Sequence, residues 1–326
     1  MRKKLAVWLP LAQGLSKDEL ENMLSKHFED CVKNQIPIIL DFFPEGPDLY
    51  QNNFWSIIEK TACEFNIPVS EIQIELSDYN ADYPCKVVKT QPYWLNCIHE
   101  SANLFQTDFV DKCENLFGHF IARPSWDRVI IHEIVKNNGN SLYSFWHGKD
   151  KPHSYEKTIS NLQKYYPQDF EKYKRLLDNF PSSNLSIKKP LYKDFVTFPR
   201  YLLPLKPCYQ KIFVDIVSET VVSGKSCFIT EKTIRPMIFK TPFIIVGGKG
   251  FLTVLKKLGF QTFSNWWDED YDNYSGPSRI EKIKQVMNFI SNQKNINSIK
   301  QQMQNVIEHN YNHVVTLGWR KYFDKI

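Results

Sequence analysis

The segment Ile36–Phe43 reads IPIILDFF, a nearly continuous apolar run bounded by the breaker Pro44-Glu-Gly-Pro47. It is too short for a buried helix and shows no polar–apolar alternation. A run of this kind suits a strand buried on both faces, which occurs in parallel sheets covered by helices. Two later runs share the property, Lys211–Val217 (KIFVDIV) and Pro242–Val246 (PFIIV).

The segments between such runs are helical in pattern. Ser16-Lys-Asp-Glu19 is a capping box that opens a helix to about Lys33. Leu5–Leu11 reads as a first strand, Leu49–Phe65 as a helix and Val69–Leu76 as a further strand. A second series starts near Leu116, with a strand over Gly118–Ala122, a helix capped by Ser125 and a strand over Leu142–Trp146. Residues 151–200 are polar, lysine-rich and punctuated by proline, and read as an insertion with surface helices. Thr230 is placed to cap a helix through Phe239, and a helix over Lys249–Leu258 ends at Gly259. A short strand is expected at Cys227–Ile229 and another at Phe260–Phe263. Amphipathic helices follow over Arg279–Ile290 and Ile299–Phe323.

This alternation predicts an α/β chain with two Rossmann-like domains facing a cleft. With 326 residues, two domains also match the usual size of roughly 150 residues each. The expected division is 1–114 on the acceptor side, 115–305 for nucleotide-sugar binding, and a helix over 306–326 that packs back toward the first domain.

Composition narrows the class. Seven cysteines, with no C-x-x-C, argue against a disulfide framework or structural zinc and for a reducing, cytoplasmic compartment. No run approaches the roughly 18 apolar residues of a membrane span. The net charge of +5 suits an anionic ligand without demanding nucleic acid. P-loop, G-x-G-x-x-G and G-x-S-x-G motifs are absent, so kinase, dehydrogenase and serine-hydrolase readings lack support.

The densest set of chemistry-bearing residues lies in Ser218–Pro236: Ser218, Glu219, Thr220, Thr230, Glu231, Lys232 and Arg235 around one strand–loop–helix junction. Unpaired N–H groups at the helix start would attract a phosphate, Lys232 and Arg235 would add charge-assisted bonds, and Glu219 or Glu231 would accept from ribose hydroxyls. The same residues also describe a capped helix with local charge pairs. His119, Arg123 and Arg128 form a second group just after a strand, where arginines would meet a diphosphate or pair locally with Asp127.

Glu219, then a loop, then Phe-Ile-Thr-Glu-Lys232, a helix and Thr241-Pro-Phe-Ile-Ile-Val-Gly-Gly248, resembles the donor-binding motif of alpha-1,3-fucosyltransferase-like glycosyltransferases. The sequel Leu258–Phe263 with Asp268-Glu-Asp-Tyr-Asp272 is similar to fucosyltransferase-like and exostosin-like proteins of viruses and bacteria. The motif-level match covers about Ile212–Gly248, with Ser218-Glu-Thr220 in place of the family's Glu-Asn-Ser. The resemblance implies a GT-B fold and a metal-independent transferase. Its nucleotide-diphosphate sugar would be lined by Glu219, Thr230, Glu231 and Lys232, and its acceptor would be a hydroxyl of a glycan or a modified base. Two rivals stand beside it: a phage-type enzyme that glycosylates modified bases in DNA, which the basic charge balance allows, and a non-catalytic carbohydrate- or nucleotide-binding protein on the same scaffold. The general base is expected in or just after the strand IPIILDFF, at Glu45 or Asp41, with Glu100 and Asp108 as competitors. Asp268-Glu-Asp270 satisfies D-x-D but falls late for a metal-binding role, and His309 and His313 alone make no site.

Overall fold

The computed structural model describes residues 4–7, 16–42, 49–50, 53–91, 93–185, 200–222, 224 and 226–323. The chain is α/β and divides into two compact units, each with its own sheet. The first comprises Met1–Tyr93 with Ser223–Ile229, the second Trp94–Val222 with Thr230–Ile326.

In the first unit β1 (Leu5–Ala6), β2 (Ile39–Asp41), β3 (Gln73–Leu76) and β4 (Lys86–Lys89) lie side by side in chain order, all parallel. Helix α1 (Lys17–Asn34) begins at the capping box: Ser16 Oγ accepts from Glu19 N, and the Glu19 carboxylate accepts from Ser16 N. It brings Leu20, Leu24, Phe28 and Cys31 into a core shared with Trp55 and Ile58 of α2 (Phe54–Glu64) and with Leu40, Ile74 and Leu76 of the sheet. Alternation along β3 sends Gln73 and Glu75 to the other face, where Gln73 Nε2 and Lys4 Nζ both bond the Glu75 carboxylate. Segment 223–229 joins this unit through backbone: Tyr79 N donates to Cys227 O at 3.0 Å, and Cys227 N donates to Asp78 Oδ1 at 2.7 Å.

The second sheet has the order β7-β6-β5-β8-β9, built from β5 (Asn115–Ile121), β6 (Ser141–Phe145), β7 (Ser182–Ser183), β8 (Ile212–Ser218) and β9 (Phe243–Val246). All pairs are parallel except β6–β7. The chain leaves β5 toward β6 through α4 (Trp126–Asn137) and later returns to β5's other side as β8. Right-handed crossovers then place α4 on one face and α7 (Glu231–Ile238) on the other. The buried runs of β8 and β9 fit this two-sided cover, since every residue of both strands is buried.

The division falls after Tyr93, earlier than residue 114, because the segment that follows is tied to the second unit. In α3 (Tyr93–Glu100), His99 Nδ1 bonds Val315 O at 2.6 Å and Asn96 Oδ1 accepts from Arg320. Beyond it, Phe105 O accepts from Tyr311. Residues 306–323 likewise lie with the second unit. The expected helix over Arg279–Ile290 lies within α9 (Gly276–Ser291), and the expected single helix over Ile299–Phe323 is three pieces, α10 (Ile296–Gln302), α11 (Gln304–Val315) and α12 (Arg320–Phe323). The main break sits at Leu317, in the left-handed region at φ 56°, followed by Gly318. Insertion 151–200 carries α5 (Pro152–Tyr165) and α6 (Phe170–Asp178) and supplies the edge strand β7. Cys227–Ile229 and Phe260–Phe263 are not strands. No helix among the described residues is long and apolar enough to cross a membrane.

Candidate functional site

Strands β5 and β8 are neighbours whose onward connections run to opposite sides, so the carboxyl edge between them is a strand-order reversal. Open α/β sheets bind ligands at such points. The two groups singled out in the sequence meet here: Arg123 and Arg128 follow β5, and Ser218, Glu219 and Thr220 end β8. Lys232 stands in the first turn of α7, whose N-cap is Thr230 as expected, with Thr230 Oγ1 accepting from Lys232 N at 3.2 Å.

The geometry changes the roles expected of several of these residues. Glu219 is buried and turned onto the start of α7. One carboxylate oxygen accepts from Thr230 N, Thr233 N and Thr233 Oγ1 at 3.2, 3.3 and 2.6 Å. The other accepts from Thr220 N at 3.2 Å and Thr230 Oγ1 at 2.6 Å. The N–H groups expected to wait for a phosphate are therefore already held by a protein carboxylate, and Glu219 has no lone pair turned to a ribose. The sequence offered Thr230 as a cap but not Glu219 as its partner, because the two are eleven positions apart across a loop.

Arg128 is also occupied. Its Nη1 donates to Arg123 O at 3.0 Å, and its Nη2 to Ser218 O and Glu219 O at 3.3 and 3.0 Å. The guanidinium thus ties the end of β5 to the end of β8 and is no solvent-facing phosphate ligand. Arg235 donates Nη1 to Phe120 O at 3.0 Å and is buried, so it too serves the strand edge. Ser218 Oγ shares a 3.0 Å hydrogen bond with His119 Nε2. Burial holds the His119 imidazole well below its usual range, with His132, Arg128 and Arg235 adding to the effect.

Lys232 keeps a half-buried ammonium at this edge. Nζ lies 3.0 Å from Glu231 Oε1, 3.1 Å from Thr230 Oγ1 and 3.2 Å from Thr220 Oγ1. Burial would raise the Glu231 carboxyl, but Lys232 and Arg235 outweigh it and hold the group below the ordinary carboxylate range. Arg123 is exposed. Cations and carboxylates balance around the edge: Arg128, Arg235 and Lys232 stand with Asp127, Glu219 and Glu231.

A similar device recurs at the next strand–helix junction. Asp272 accepts from Leu252 N at 3.0 Å and Thr253 N at 3.2 Å at the start of α8 (Phe251–Lys257), and Arg279 bonds Asp272 together with Ile245 O and Gly248 O at the end of β9. The neighbouring acidic triplet is dispersed among local partners. Asp268 accepts from Asp270 N, Glu269 from Thr262, Phe263 and Lys256, and Asp270 pairs with Lys282. His309 and His313 donate to Gly259 O and Leu258 O at the end of α8.

Among the proposed bases, Asp41 ends β2 and is half-buried, in register with Glu75 on the same face of the first sheet. Glu45 lies outside the described residues. No family model matches the chain, and neither a curated protein nor a solved structure is similar to it.

Proposed function

We propose that the chain is a glycosyltransferase of GT-B type that takes its sugar from a nucleotide-diphosphate donor and delivers it to a hydroxyl acceptor. One observation carries the reading. The motif Ser218–Lys232 lies at the strand-order reversal of a Rossmann-like sheet, with the half-buried Lys232 ammonium 3.2 Å from Thr220 Oγ1. In this reading the acceptor oxygen attacks the anomeric carbon, the bond from that carbon to the donor phosphate breaks, and Lys232 with Arg123 stabilises the charge on the departing diphosphate. The proton from the acceptor goes to a carboxylate in or following β2, Asp41 or Glu45.

The test is a thermal-shift series with UDP-, GDP-, CMP- and dTDP-sugars on the whole chain. A nucleotide that binds raises Tm by mass action. Lys232→Ala is expected to weaken that binding about 10- to 150-fold, the loss of one charge-assisted bond of about 1.5–3 kcal/mol. Unliganded stability should change by about 1 kcal/mol or less, the scale of a solvent-reached ion pair. If none of the four nucleotides shifts Tm, the donor site is wrong.

A second reading, a non-catalytic nucleotide- or carbohydrate-binding protein, draws on the carboxylates that fill the starts of α7 and α8. They leave a departing diphosphate few backbone donors. Binding with neither transfer nor donor hydrolysis would favour it.

A further inference from the structure

Away from that edge, at the amino end of the second sheet, a thiol and an amine share one acceptor. Cys113 precedes β5 and is half-buried, and its Sγ donates to Ile212 O at 3.4 Å. Lys300 on α10 is 1% exposed, and its Nζ donates to the same oxygen at 3.0 Å. The two side chains therefore converge on one carbonyl oxygen. The backbone is fixed from the same helix: Asn297, one turn before Lys300, accepts from Cys113 N at 2.8 Å. No ion pair joins Lys300 to a carboxylate within bonding distance among the described residues, an unusual state for a buried lysine.

We propose that Cys113 and Lys300 form an oxidation-dependent covalent cross-link, a sulfur–nitrogen bond made with hydrogen peroxide as oxidant. The pair supplies the parts the chemistry needs. Burial pushes the Cys113 thiol up, and Lys300 works against that rise. Burial pushes the Lys300 ammonium down, so a neutral amine is reached more easily; Cys113 and Asp111 oppose this. The neutral amine takes the thiol proton, and the thiolate attacks one peroxide oxygen, giving a sulfenic acid and hydroxide, which recovers the proton from Lys300 as water. The amine then displaces water from the sulfenic sulfur. One thiol, one amine and one peroxide become one S–N bond and two waters, with sulfur oxidised and peroxide reduced. The bond would join the lead-in of β5 to α10.

The test uses the whole folded chain under graded hydrogen peroxide, with free thiols then blocked, digestion without reductant and peptide mass mapping. The expected product joins the peptides carrying Cys113 and Lys300, lighter than their sum by two hydrogens, and dithiothreitol releases it. It should be absent after oxidation in urea and in Cys113→Ser. The exposed thiol of Cys63 reports the oxidant dose. If Cys63 is oxidised while Cys113 is recovered as free thiol, sulfinic or sulfonic acid, with Lys300 unlinked, the proposal is overturned. This result is read from the unmutated chain, so it does not depend on any variant folding.

Discussion

Thr233 gives both its backbone N–H and its hydroxyl to a single carboxylate oxygen of Glu219, at 3.3 and 2.6 Å. The end of β8 is thereby fastened to the first turn of α7 by a charged acceptor in a buried setting. Such a bond is stronger than one between neutral groups, and removing it strands its donors.

Glu219→Gln keeps the size of the side chain but turns an amide NH2 toward N–H and O–H donors. We expect a loss of about 3 kcal/mol in unfolding free energy, read from the urea midpoint. Unchanged stability together with lost nucleotide binding would return Glu219 to a ligand-contacting role.

Arg128→Met strands the carbonyls of Arg123, Ser218 and Glu219 and leaves nearby buried carboxylates less compensated. The expected cost is about 3–4 kcal/mol, while Arg128→Lys, which keeps the charge and part of the bonding, should cost about half of that. Equal urea midpoints for the two variants would show that charge and bonding at this edge do not matter.

His132 gives the chain an acid sensitivity. Burial, with Lys136 nearby, lowers its imidazole to about 4, and the ring is surrounded by Tyr143, Phe145 and Phe180. A histidine depressed in the folded state contributes stability that is present above its unfolded value near 6.5. That stability is lost as pH falls toward 4, because the unfolded chain binds the proton first. The expected loss from this residue is about 3 kcal/mol across that window. Asp215 acts oppositely: burial raises its carboxyl to about 6, so it favours the fold as pH falls through the same range. The histidine is therefore isolated by comparing the wild type with His132→Phe. The stability gap between them should move in favour of the variant as pH falls from 7 to 4.5. A gap that stays constant would refute the assignment.

Gly259 stands at φ 86°, and a Cβ there would lie 2.5 Å from the Tyr322 ring and 2.8 Å from His313 Nε2. Gly139 has a similar φ of 76° with open space around it. Gly139→Ala should cost about 1 kcal/mol for the backbone alone, and Gly259→Ala at least twice that in chemical denaturation. Matching losses would mean that the ring moves aside freely.

Local rules carried well from sequence to structure where the partners are near in the chain. The capping box at Ser16, the cap at Thr230, the glycine end at Gly259 and the buried runs of β8 and β9 are all of this kind. Pairings over long separations did not show. Nothing in the sequence says that Arg128 will find Ser218 O, that Asp272 will cap α8, or that segment 223–229 will leave the second unit. The charged residues of Ser218–Arg235 read equally well as ligands or as fasteners, because both uses call for the same side chains. Burial and bond direction separate them: Glu219 and Arg235 serve the fold, while Lys232 keeps access to solvent. The pairing of Cys113 and Lys300 on Ile212 O is invisible for the same reason, since the two are distant in sequence and neither belongs to a motif.

The placement of residues 223–229 in the first unit has a consequence for synthesis. As the chain leaves the ribosome, residues 1–93 emerge first, yet Asp78 and Tyr79 meet Cys227 only after more than half of the second unit has been made. The first unit must wait, incomplete, through the translation of β5 to β8. A fragment ending near residue 93 would therefore lack the piece that Asp78 and Tyr79 bind, and a separable module of this unit would need 223–229 grafted back onto it.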